Sequence, residues 1–97
     1  MSAPLILPRR LAIALLAEAQ KAGTAPVRGL IAARDGLPVA VQPDAEDSAG
    51  TAWARYRSGT DAPDARPGRQ LLISLDTKGV LQLRCWEAGA ERELHIL

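Results

Sequence analysis

The sequence predicts an α+β domain: one N-terminal helix packed on a mostly antiparallel sheet, built from a hairpin and a C-terminal three-stranded meander. Three observations predict it. Apolar residues recur at helical spacing between Pro8 and Gly23. Two short apolar runs flank Arg34-Asp35-Gly36, and Asp-Gly between such runs is a strong hairpin signal. From Leu71 onward, apolar and polar residues alternate in runs broken by short turns.

Each element follows from local chemistry. Pro4 to Leu7 reads as a short strand or extended lead-in. Pro8 suits the first turn of a helix, where its missing N–H costs nothing. The helix runs from about Arg9 to Ala22, and Gly23 stops it. Leu11, Leu15, Ala19 and Ala22 share one side, with Ala12 and Leu16 beside them. Arg9-Arg10 before Leu11–Ala17 also resembles a short signal peptide. The apolar Leu5-Ile6-Leu7 ahead of the arginines does not suit a signal, which favours the helix. Val27–Ala33 and Leu37–Gln42 form the hairpin, and Pro38 places the second strand at an edge.

Pro43 to Arg69 is rich in Pro, Asp, Ser and Gly and lacks apolar periodicity, so a long, weakly protected loop is expected. Within it, Ala52–Tyr56 suits a helical turn or a brief strand. Leu71–Leu75 is a buried-type strand, and Asp76–Gly79 is a turn. Val80–Trp86 alternates, with Leu81, Leu83 and Cys85 on one face and Gln82, Arg84 and Trp86 on the other. Ala88–Ala90 turns the chain, and Glu91–Leu97 closes the meander with Leu94 and Ile96 inward.

Composition narrows the function. The 97 residues make a single domain, 1–97, with one modest core. That core is aliphatic, because there is no Phe and the aromatics are Trp53, Tyr56 and Trp86. A net charge of +1 leaves no electrostatic footprint for nucleic acid or an anionic membrane. The helical apolar run is too short to span a bilayer. One cysteine, Cys85, excludes an intrachain disulfide and fits a reducing, cytoplasmic compartment. One histidine, His95, supplies neither a three-ligand zinc site nor a Ser-His-Asp set. No glycine-rich phosphate loop is present, and no cofactor is expected.

The opening "LILPRRLAIALLAEAQKAG", the hairpin "VRGLIAARDGLPVAVQP" and the closing "LLISLDTKGVLQLRCW…ERELHIL" resemble the JAB/MPN domain, the JAMM metallopeptidase fold. The likeness is nearest to short bacterial members. It covers about the first 43 and last 28 positions. In active members of that family a catalytic Glu opens the first hairpin strand, where this chain has Pro26 or Val27. A His-x-His, a Ser and an Asp follow in the central segment, and the His pair and Asp bind zinc. Here that segment has no histidine and is short, leaving only Ser58 with Asp61 or Asp64 as remnants. No catalytic residue carries over. The resemblance implies a degenerate, non-catalytic domain that binds protein. A ubiquitin-like or sulfur-carrier protein is the partner it implies, with a homodimer as the other form of association.

The residues expected at a partner surface are Trp86 and Arg84 beside the C-terminal edge strand, Trp53 and Tyr56 in the central segment, and His95 on the last strand. Trp53 equally suits an anchor for the loop, and Trp86 a shield for the sheet. Cys85 reads as a small buried hydrophobe. Asp44, Glu46 and Asp47 read as a solvated acidic cluster. Two other functions fit the residues: a hydrolase with a reworked site in the central loop, or a small-ligand module using Trp53 and Trp86.

Overall fold

A computed structural model describes residues 3–23, 25–45, 52–59, 68–75 and 81–97. The elements are β1 (Leu5–Leu7), α1 (Arg9–Ala22), β2 (Arg28–Arg34), β3 (Leu37–Pro43), β4 (Ala54–Ser58), β5 (Arg69–Leu75), β6 (Leu81–Glu87), β7 (Ala90–Arg92) and β8 (Leu94–Ile96). Six strands form one sheet in the order β3-β2-β4-β5-β6-β7, while β1 and β8 pair in a separate parallel ribbon. Among the described residues, β4–β5 is the one parallel pair of the large sheet. The fold is α+β, with one helix on a mostly antiparallel sheet.

Helix α1 lies where its pattern puts it. Pro8 caps it from just outside, and its carbonyl accepts the Leu11 and Ala12 N–H groups. Leu11, Ala12 and Leu15 are buried. They meet Leu5 and Leu7 of β1, Ile31 of β2, Leu71 and Ile73 of β5 and Cys85 of β6 in one core. This aliphatic layer supplies most of the driving force, at about 25 cal/mol per Å² of apolar surface removed from water.

The β2–β3 hairpin closes through Asp35 and Gly36, both with positive φ (52° and 78°). That backbone matches the twist of the flanking strands, and Gly36 adopts it without a Cβ clash. β3 is an edge strand, as Pro38 required, and a register shift between Ala32 and Ala33 bulges it. Arg10 reaches across to donate to the Val39 carbonyl at 3.0 Å. The bulge, Pro38 and the Arg10 side chain blunt this edge against stray pairing.

Two expectations need correction. The long loop expected at Pro43–Arg69 is interrupted by β4, which takes the strand alternative at Ala52–Tyr56 and lies between β2 and β5, near the middle of the sheet rather than in a loop. The reason is visible in its alternation. Ala54, Tyr56 and Ser58 point toward the α1 side, and Arg55 and Arg57 point away. The Tyr56 and Arg57 amides should therefore exchange with solvent as slowly as those of Leu71 and Leu72. Hydrogen-exchange mass spectrometry would check this, and fast exchange at β4 would place it outside the cooperative core.

The second correction concerns the last strand. It splits at Glu93. β7 pairs with Cys85–Glu87 of β6, and the chain then crosses to pair β8 with β1, Leu94 to Leu5 and Ile96 to Leu7. Leu94 packs on the core, but Ile96 is exposed rather than inward. Long-range pairing with β1 wins because the Leu5 and Glu93 backbones, and the Leu7 and Leu97 backbones, hydrogen-bond at 2.9 and 3.1 Å. The turn expected at 76–79 lies outside the described residues.

Candidate functional site

The start of β2 and the end of β4 meet at one pole of the sheet. The Val27 N–H donates to Ser58 Oγ at 2.9 Å, and the Ser58 N–H donates to the Val27 carbonyl at 2.9 Å. Beside them the Gly59 N–H bonds the Ile73 carbonyl at 3.0 Å. Fold and sequence thus bring together the hairpin start and the central serine, which are distant along the chain. Ser58 spends its hydroxyl as an acceptor in a backbone clamp. Among the described residues, no three His, Cys, Asp or Glu side chains gather to hold a metal. Glu46, Asp47, Asp61 and Asp64 lie outside the described residues.

Tyr56 occupies the centre of the α1 side, not a loop surface. It is 2% exposed and lies over Gly29, its cross-strand partner on β2. Its hydroxyl donates to Glu18 Oε2 of α1 at 2.6 Å. Burial, the bond to Glu18 and the negative charges of Glu18 and Asp44 push the phenol well above its usual pKa. The tyrosine stays neutral and works as a strut from sheet to helix. Trp53 is also in the core, at 7% exposure, with the Arg69 guanidinium 5.1 Å above its ring. Arg69 Nε donates to Glu87 Oε2 at 3.0 Å, and Arg92 pairs with the other Glu87 oxygen. Arg92 also donates to the Ala3 carbonyl at 2.8 Å, tying the lead-in to β1 onto the sheet.

The opposite face of the sheet carries Trp86 and Arg84. Trp86 is 7% exposed, so it is not an open aromatic patch. Arg84 stacks 4.9 Å over its ring and makes a two-pronged pair with Glu91 of β7, at 2.9 and 2.7 Å. Each bond holds Arg84 charged, and the same pairing lowers the Glu91 pKa. Both partners of this pair are about half exposed, so solvent screens it. What the surface offers is a guanidinium held above an indole, with Trp86 as its floor. His95 stands apart on β8, about half exposed, bonded to Glu93 Oε1 at 2.8 Å. Of the five residues expected at a partner surface, Arg84 and His95 are exposed, Trp86 is covered by Arg84, and Trp53 and Tyr56 belong to the core. Glu18 and Gly29 had no distinguishing signal in the sequence, because their roles arise only when α1, β2 and β4 meet.

Cys85 is fully buried, as a small hydrophobe should be. Burial pushes its thiol up to about 11, with the negative charge of Glu87 adding and Arg69 and Arg92 subtracting. The native protein should leave it unmodified by a polar disulfide reagent at pH 8, with one thiol per chain released in denaturant. Rapid modification of the folded protein would place the thiol at the surface. No helix is long and apolar enough to cross a membrane among the described residues.

No protein-family model matches the chain, and no curated protein does. Solved structures do. The crystal structure of a JAB1/MPN domain protein from Archaeoglobus fulgidus superimposes with a TM-score of 0.71 at 18% identity, covering 100% of both chains. The chain has a JAB/MPN-like fold.

Proposed function

We propose that this chain is a non-catalytic JAB/MPN-like interaction domain. The observation that carries the reading is the clamp between Val27 and Ser58. In the sequence resemblance this pole is where a catalytic Glu and the metal-binding segment would converge. Here Pro26 and Val27 offer no carboxylate, and Ser58 is tied to the backbone. A metallopeptidase needs three convergent ligands and a base. A backbone clamp supplies rigidity instead, which suits a scaffold that presents a surface.

The surface we assign to partner binding is the Arg84 guanidinium on its Trp86 floor, beside β7. Arg and Trp contribute strongly to protein interfaces, and Glu91 holds the guanidinium in place over the indole, where its outer face and its remaining N–H groups can meet a partner. By the family resemblance, a ubiquitin-like or sulfur-carrier protein is the partner to test, with self-association as the other outcome.

Mixing the purified protein with such a carrier, and following binding by calorimetry, tests the reading. Arg84→Ala should weaken binding about tenfold or more while lowering the melting temperature by no more than about 5 °C, since the Glu91 pair is half exposed and the loss of cover over Trp86 is local. Metal content is measured on the same samples. Binding untouched by Arg84→Ala would move the interface elsewhere. One tightly held zinc per chain, with peptidase activity, would overturn the non-catalytic reading.

A further inference from the structure

We draw no further inference here: the strongest candidate, the sheet face opposite α1 that carries Arg28, Arg55, Arg57 and Arg84 with Leu30, Leu72 and Trp86, carries nothing beyond the reading already made, because it contains the Arg84–Trp86 surface assigned to partner binding.

Discussion

Gly29→Ala should cost about 3 kcal/mol of stability and lower the melting temperature by more than about 10 °C. The backbone of Gly29 is not the reason, since its φ is not positive. Space is. A Cβ built there meets the Gln42 carbonyl oxygen at 2.4 Å and the Tyr56 hydroxyl at 2.6 Å. The carbonyl belongs to β3 and moves only if the hairpin moves. The phenol is the far end of a side chain, but its bond to Glu18 anchors it to α1. Relief of one contact therefore breaks another. Thermal unfolding by circular dichroism measures the effect. A melting temperature within about 3 °C of the wild type would mean that Tyr56 swings aside freely, and the strut from sheet to helix would lose its basis.

Leu71→Ala should be comparably severe, with a loss of about 3–5 kcal/mol. Leu71 has no exposed surface and stands between Tyr56 of β4 and Cys85 of β6, its register partners. Truncation removes apolar transfer energy and leaves a cavity that neighbours held in a ladder cannot collapse into. Urea titration at constant slope gives the number. A loss under about 1 kcal/mol would show that the helix settles into the gap. The contrast with Arg84→Ala is physical: Leu71 is enclosed on every side, whereas Arg84 faces water.

Much of the fold was legible because its signals are local. The Asp35-Gly36 turn needs only its own two residues, and α1 needs only the spacing of Leu11, Ala12 and Leu15. The Val80–Trp86 alternation also sorted Leu83 and Cys85 from Arg84 and Trp86 correctly. β4 was harder to read. Its five residues alternate, but Pro, Gly and Asp surround them, and a strand that short is fixed by neighbours on both sides rather than by its own preference. The departure of β8 to β1 was not legible for the same reason, since that pairing depends on residues some ninety positions away.

The candidate site was legible only in part. Arg84 and His95 are exposed as expected, but composition alone could not say that Trp53 and Tyr56 stand on a central strand. Nor could alternation say that Trp86, on the far face from α1, has its own cover in Arg84. Tyr56 illustrates the limit. An aromatic among arginines reads as a binding surface until Gly29 and Glu18 are placed beneath and beside it.

The β1–β8 ribbon gives the molecule a direction of mechanical strength. Its strands run parallel. Tension applied before Leu5 and after Ile96 would slide one strand past the other along their common axis. The bonds from Leu5 to Glu93, Leu97 to Leu7 and Arg9 to Leu97 would then bear load together, with the Arg92–Ala3 tie alongside. An antiparallel pair pulled from the same points would open one rung at a time. The slanted, evenly spaced bonds of a parallel pair share the force instead. Held by its two ends, this small domain resists in shear, and a partner that tugged on either flank would pull against the whole ribbon at once.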